Sequence, residues 1–347
     1  MKIGIIGTGY ISTFHAKAYN AAGAKIVGVT DAVKENFLKK QHIYGNAIFY
    51  ETPEKLMQDS TIDIIDICTT NASHFDFIMK AADAGKHIFC EKTLTESLEK
   101  SLKIRQRLEN YSKNFQIGYM KRFFPATNKA IELLPEIGEI HSAYIRSYQP
   151  AAHNVDIYEL DDWKRRGNKN SKLKDFSGAG MLNMAGSHML DLMCCLLGKP
   201  ESVYSKCWGP ASYDAEIIAN TMFIMQNKFP VHFEACLSPY TGAGFLNDGW
   251  DERVEINGKK GKIELYYVTW DKPLENAPLL KVYKEKTRAW TVYTFPKFNP
   301  FDEEITRFLE DCMIGRKSVP GINEGYLIDQ IIDACYKSNQ TNSVVNI

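Results

Sequence analysis

At 347 residues the chain is longer than the roughly 250–300 over which a single hydrophobic core keeps growing, and 44% hydrophobic against 24% charged residues is the balance of a globular protein. Its 42 basic and 42 acidic residues cancel, so no global charge supports nucleic acid or an anionic membrane as partner, and a small, locally recognised ligand fits better. Gly4, Gly7 and Gly9 interrupt the first apolar run, and Asn183, His188 and Asp191 interrupt the longest apolar helix, 181–197, so neither signal peptide nor membrane span is expected and the cytoplasm is the default location.

The first strand, Lys2-Ile3-Gly4-Ile5-Ile6, runs into Gly7-Thr8-Gly9-Tyr10-Ile11-Ser12, then a helix over 11–22, then a second apolar run, Ile26-Val27-Gly28-Val29, ending at Thr30-Asp31. Strand, glycine turn, helix, strand and acidic tip is the layout of a dinucleotide site. A β-carbon at Gly7 or Gly9 would block the turn or the approach of a pyrophosphate, and the free N–H groups at the helix start point at the phosphates. Gly7, Thr8, Gly9, Tyr10 and Ile11 are therefore candidate cofactor-binding residues. Asp31 lies 22 residues beyond Gly9, near the usual spacing of about 20 for the carboxylate that accepts from an adenosine ribose hydroxyl. An acid there repels a 2′-phosphate, which favours NAD over NADP; Lys34 could soften that preference and leave NADP open. Ser12 fills the third glycine position and still permits close helix–strand packing. The ordinary alternative is a tight turn with a surface Asp.

The pattern predicts a helix near 33–44, a strand at 47–50, a short helix at 53–59, a strand at 62–68 and a helix at 73–84. A strand at 87–91, a helix over 95–111 capped by Thr95 and Ser97, and a strand at 115–119 follow. This alternation implies a parallel, doubly wound sheet. After about residue 120 the pattern changes to strand pairs, 220–226 with 231–237, 253–256 with 262–268 about a turn opened by Asn257-Gly258, and 280–285 with 290–295. Helices at 303–314 and 324–338 close the chain. The expected fold is α/β: a Rossmann domain over 1–121 and an α+β domain over 122–347 with an open, mainly antiparallel sheet, ligands lying at the carboxyl ends of the parallel strands against the second domain.

The eight cysteines contain no C-x-x-C pair and read as reduced core residues, with Cys90 the first suspect for a reactive thiol; no His/Cys/Asp spacing suggests a metal. Three other groups carry possible chemistry. Lys92, in Cys90-Glu91-Lys92-Thr93 at the carboxyl end of its strand, could exchange a proton with a substrate hydroxyl if partly desolvated; its ordinary alternative is a solvated loop lysine. His188 follows a glycine-rich approach, Gly178-Ala179-Gly180 to Gly186-Ser187, and could take an alcohol proton; its alternative is a helix-face histidine held by Asp191 at i+3. Lys121-Arg122 and Trp163-Lys164-Arg165-Arg166 could grip hydroxyls or a phosphate, or simply be solvated.

Taken together, Gly7-Thr8-Gly9 with His15, Asp31, Thr69-Thr70-Asn71-Ala72-Ser73-His74, Ala84-Gly85-Lys86-His87, Glu91-Lys92, Arg122-Phe123 and Gly186-Ser187-His188 followed by Asp191-Leu192 resemble the Gfo/Idh/MocA family of sugar and cyclitol oxidoreductases over essentially the whole length. The resemblance implies a nucleotide fold joined to an open antiparallel sheet. It maps Lys92 and His188 onto the family's catalytic lysine and histidine, and puts Thr69, Asn71 and His74, with Glu91 and Lys92, at the cofactor pocket.

Two departures stand out. The family usually has proline after Glu-Lys, and this chain has Thr93; a non-prolyl cis bond costs about 2.5–4 kcal/mol, so a trans bond and a displaced Lys92 are expected. The family's aspartate four residues before the histidine is Met184 here. Asn183 replaces that acid if 180–185 is extended, or else caps the helix. The leading expectation is an NAD-dependent dehydrogenase acting on a secondary hydroxyl of a sugar, sugar derivative or cyclitol, with His188 as base and Lys92 polarising the oxygen. The alternatives are a catalytically silent NAD(P)-binding sensor and an NAD-dependent, redox-neutral elimination or glycosidic cleavage. Tyr119, Arg122, His153, Trp163, Asn183, Met184 and Tyr267 are candidate substrate neighbours, and an open sheet suggests a homodimer or homotetramer.

Overall fold

The computed structural model describes residues 1–150, 160–161, 180–210 and 215–347. His153 and Trp163, with the cations that follow it, lie outside the described residues. The chain forms two compact units, 1–120 with 300–329 and 121–299 with 330–347. Among the described residues no helix is long and apolar enough to cross a membrane.

The first unit is built on six parallel strands, β1 Lys2–Ile6, β2 Lys25–Thr30, β3 Ile48–Phe49, β4 Ile64–Ile67, β5 His87–Cys90 and β6 Phe115–Ile117, in the order 3-2-1-4-5-6. Ile3, Ile5, Ile64, Ile65, Ile67, Ile88 and Phe89 are all wholly buried, the continuous apolar character of strands covered on both faces. Helices α1 Ile11–Ala21, α2 Lys34–Leu38, α3 Pro53–Gln58, α4 Asn71–Asp83 and α5 Leu98–Leu108 supply most of that cover. The strand order reverses between β1 and β4, which opens a crevice at the carboxyl ends of the strands. A late helix, Pro300–Ile314, packs against α1, with the Phe14 and Phe301 rings 5.1 Å apart.

Two predicted helices are shorter than their patterns. The helix expected over 33–44 breaks after Leu38 into a separate 3-10 turn, Gln41–Ile43, and at the break the Lys40 amine donates to the Thr8 carbonyl at 2.8 Å. The helix expected from Thr95 begins at Leu98, because the Thr95 N–H and the Ser101 hydroxyl both donate to the Asp329 carboxylate, at 3.0 and 2.5 Å, and hold the chain extended before it.

The second unit carries a mostly antiparallel sheet. From one edge it runs Ala289–Thr294, Leu279–Lys284, Gly261–Tyr267, Asp251–Gly258, Ile140–Pro150, Pro230–Ser238, Ile218–Met225, Pro200–Pro210 and Val345–Asn346, with Leu160–Asp161 also paired to Pro200–Pro210. Only Ile140–Pro150 and Pro230–Ser238 run parallel among these pairs. Each expected hairpin forms. In the second, however, Gly258 pairs with Gly261, so Lys259-Lys260 is the tip and Asn257-Gly258 ends the strand instead of making the turn.

Candidate functional site

The turn after β1 is built around Gly7, whose φ is +90° and whose missing β-carbon would lie 2.9 Å from both the Cys68 carbonyl oxygen and Thr69 Cγ2. A β-carbon on Gly9 would meet nothing within 4 Å, so space stands open over the turn. The N-cap residue of α1, Tyr10, makes no side-chain cap bond, and the start of a helix is where backbone N–H groups can meet an anionic ligand. Ser12 serves the turn from the third glycine position, donating to the Gly9 carbonyl at 2.9 Å and sharing a 2.7 Å hydrogen bond with the Tyr44 hydroxyl. Tyr10 is exposed, its ring edge-on to Phe14 at 5.3 Å. This open, donor-rich turn fits a dinucleotide pyrophosphate.

Asp31 ties the turn to the tip of β2. One carboxylate oxygen accepts the Thr8 N–H at 2.6 Å and the Thr8 hydroxyl at 2.8 Å; the other accepts the Val33 N–H at 2.8 Å and the Asn36 amide at 3.3 Å. Burial pushes its pKa up, but these donors outweigh burial and hold it below the usual carboxylate value. Lys34, expected to soften the cofactor preference, stands over the Phe49 ring at 5.2 Å, and Lys40 is the cation that reaches the turn.

At the ends of β4 and β5, Thr69, Asn71, His74, Glu91 and Lys92 come together. The Lys92–Thr93 bond is cis, against the trans expectation. Thr93 is held from two sides, its hydroxyl accepting from the Asn71 amide at 3.1 Å and its carbonyl 2.9 Å from His74 Nδ1. The other ring nitrogen of His74 lies 3.1 Å from the Thr69 carbonyl, so this buried histidine joins two loops of the first unit. Burial lowers its pKa below the ordinary imidazole value.

Sequence spacing gave no sign of what lies beneath Glu91. His15 of α1 is wholly buried, with Nδ1 3.0 and 3.2 Å from the two Asp66 oxygens and Nε2 3.0 Å from Glu91 Oε1. The Cys68 sulfur lies 3.4 Å from both His15 Nδ1 and Asp66 Oδ1. Burial opposes a charge on His15, yet the Cys68 sulfur and the Asp66 carboxylate raise its pKa well above the ordinary value. His15, Asp66 and Cys68 form a buried cluster that contacts between α1 and the end of β4 create and linear spacing hides. The only local signal was His15's place in the motif after Gly9. Cys90 is wholly buried and burial pushes its thiol far up, which makes it a poor nucleophile.

In the second unit, Leu182–Gly186 is a π-helix leading into the α-helix Ser187–Leu197 that carries His188. Asn183 is thus neither in an extended segment nor a helix cap. Gly186 explains the wide turn, since its N–H donates to the Met181 carbonyl at 2.8 Å and a β-carbon there would stand 2.8 Å from the same oxygen. At the other end Glu216, wholly buried, accepts the Leu182 N–H at 2.9 Å and the Tyr336 hydroxyl at 3.1 Å. Its carboxylate occupies the space over Gly180, where a β-carbon would come within 1.7–2.4 Å of it. Asn183 is nearly buried, and Met184 and His188 are half-buried.

Arg122 meets the His188 helix through a bidentate pair, its Nε and Nη2 donating to the two Asp191 oxygens at 2.7 and 2.6 Å. Asp191, the expected i+3 partner of His188, is thus also the partner of an arginine. Lys121 is buried in an ion pair with Glu252, whose carboxylate also accepts from Trp250 Nε1 at 2.8 Å and from Ser147 at 3.0 Å. Tyr267 shares a 2.6 Å hydrogen bond with Thr127, and Tyr119 is wholly buried.

A family described as oxidoreductases with an NAD-binding Rossmann fold matches residues 1–119, and the GFO/IDH/MocA C-terminal domain matches residues 134–264. An inositol 2-dehydrogenase of Rhizobium meliloti is 29% identical over 97% of this chain and 96% of its own length. Another from Paracoccus denitrificans is 24% identical over 98% and 94%. A levoglucosan dehydrogenase solved with NADH and levoglucosan superposes with a TM-score of 0.84 at 21% identity, over 100% of this chain and 99% of that one.

Proposed function

The chain belongs to the Gfo/Idh/MocA family of NAD-binding oxidoreductases, and from that premise we propose that it oxidises a secondary hydroxyl of a cyclic polyol, a cyclitol or sugar, with Lys92 and His188 as its catalytic residues. Bound NAD supplies the nicotinamide ring that accepts the hydride. Gly7 to Ile11 would hold the pyrophosphate, Asp31 the adenosine ribose, and Thr69, Asn71, His74 and Glu91 would border the ring. A ribose hydroxyl reaching Asp31 would take the place of the Thr8 hydroxyl. The Lys92 ammonium holds and polarises the substrate oxygen. The imidazole of His188 accepts the hydroxyl proton as the carbon loses its hydride, so proton and electron pair leave by separate routes.

Arg122 acts indirectly, bracing the His188 helix through Asp191. Asn183 is the candidate for the place of the family's acid. A π turn sets residues five apart near one another where an α-helix sets four, so its widening moves Asn183 toward the His188 face relative to an α-helical path.

The observation that carries the reading is the placement of Lys92 at the carboxyl end of β5 with both flanking residues fixed by buried side chains. The polyol class comes from the inositol and levoglucosan dehydrogenases that the chain resembles. The test is NADH formation from NAD, with NADP in parallel, against myo-inositol, scyllo-inositol, aldoses, anhydro sugars and sugar phosphates. Turnover with one class that disappears in His188→Ala, NAD binding by calorimetry being unchanged, is the expected result. Turnover in His188→Ala near that of the parent removes His188 as the base.

A further inference from the structure

Lys92 has four rotatable side-chain bonds, and a misplacement of about 1 Å can cost roughly 100-fold in rate, so a lysine that must meet one oxygen needs its backbone held. The structure shows how the residue before it is held. Glu91 is buried; its Oε2 accepts the Lys92 N–H at 3.2 Å and its Oε1 lies 3.0 Å from His15 Nε2. Gly118 makes room for that carboxylate, since a β-carbon there would lie 2.8 Å from Oε1. On its far side His15 meets Asp66, and both ring nitrogens therefore face carboxylates. An imidazolium satisfies both by donating two N–H groups; a neutral ring would turn a lone pair on one of them.

We propose that His15, held between Asp66 and Glu91, is a positioning residue for Lys92: it fixes the Glu91 carboxylate that accepts the Lys92 N–H, and so sets where the lysine leaves the strand. His74 holds the opposite flank through the Thr93 carbonyl. His15 is too deeply buried in this cluster to serve as a substrate contact, and its bonds end on the residue beside Lys92. The proposal rests on the reading of Lys92 as the group that holds the substrate oxygen, and it extends that reading to a residue of α1.

No single amide can replace the imidazolium, because a glutamine donates both its hydrogens from one nitrogen and cannot reach two carboxylates on opposite sides. The experiment is His15→Gln, examined by crystal structure with NAD, by NAD calorimetry and by kinetics with NAD and myo-inositol. The expected result is Lys92 Nζ displaced by more than about 1 Å and NAD affinity within about threefold of the parent. The kcat falls by at least about tenfold, and adding His15→Gln to Lys92→Ala lowers it by less than about a further twofold, as for a residue that acts only through the lysine. An unmoved Lys92, or a double variant losing the full factor of each single change, overturns the proposal. If Lys92→Ala alone turns over like the parent, the catalytic role of Lys92 falls, and the lysine's position in the His15→Gln crystal still decides the positioning claim. Should His15→Gln fail to fold, Asp66→Asn keeps the ring and removes the carboxylate that shares its second proton, and the same outcomes are read from it.

Discussion

The turn after β1 and the turn before His188 both depend on a glycine with no room for a β-carbon, but the obstacles differ. At Gly7 the neighbour is backbone at the end of the adjacent strand, and the geometry follows from strand, turn and helix in immediate succession. At Gly180 the neighbour is the carboxylate of Glu216, brought in from a distant segment to cap a π turn. A site assembled from consecutive backbone can be read from spacing. One assembled on a remote buried acid cannot, because nothing near Gly180 announces Glu216.

The most severe way to separate the two regions is Gly180→Ala. Its β-carbon would overlap the Glu216 carboxylate, forcing it off the Leu182 N–H and leaving that buried donor unsatisfied. A stability loss of about 2–3 kcal/mol in urea titrations is expected, with turnover down at least about 100-fold if Asn183 and His188 are displaced. NAD affinity by calorimetry should stay within about threefold, because the nucleotide turn belongs to the other unit; a collapse of NAD binding would break the comparison.

Gly7→Ala is the converse. A left-handed φ with a β-carbon 2.9 Å from a carbonyl oxygen costs about 1–3 kcal/mol. The loss should appear as NAD affinity reduced by about tenfold or more. Unchanged NAD affinity in this variant would mean that the turn does not hold the cofactor.

The same contrast marks what the chain reveals before folding. The alternation of strands and helices, the glycine turn and Asp31 are legible because their periods and spacings are local. The hairpins of the second unit are legible for the same reason, apart from the tip moved to Lys259-Lys260. The His15 cluster was hidden, since α1, β4 and the end of β5 meet only in three dimensions. The packing of Pro300–Ile314 on α1 has no local signal either. The cis Lys92–Thr93 bond escaped for a different reason, because residue type alone argues for trans and only the contacts of Asn71 and His74 to Thr93 give that residue a fixed place.

A smaller change sharpens the nucleotide side. Asp31→Asn removes the charge that would repel a 2′-phosphate while leaving a polar group at the tip of β2. The ratio of NAD to NADP affinity, measured by calorimetry, should fall by about tenfold, or roughly 1.4 kcal/mol. A ratio that does not move would transfer cofactor choice to another group, with Lys40 at the Thr8 carbonyl the first candidate.

The least of the expected effects is the contribution of Asp31 to stability without cofactor. Its donors hold its folded pKa below the unfolded value near 3.9, despite the opposing effect of burial. A lowered acid stabilises above the unfolded value, and that contribution is lost as pH falls through the folded value. Asparagine keeps one acceptor oxygen but points hydrogens at donors on the other side, so the parent should be the more stable protein at neutral pH. Asp31 is half-exposed and solvent screens it, which keeps the difference below about 1 kcal/mol. Urea midpoints of parent and Asp31→Asn, followed from neutral pH downward, should therefore converge below about pH 4. Because the Thr8 N–H and hydroxyl both end on this carboxylate, convergence would show that its charge helps to order the turn before any cofactor arrives. A gap that widens in acid would mean the hydrogen bonds are not to the ionised form, and the nucleotide turn would then be held by its glycines and by Lys40 alone.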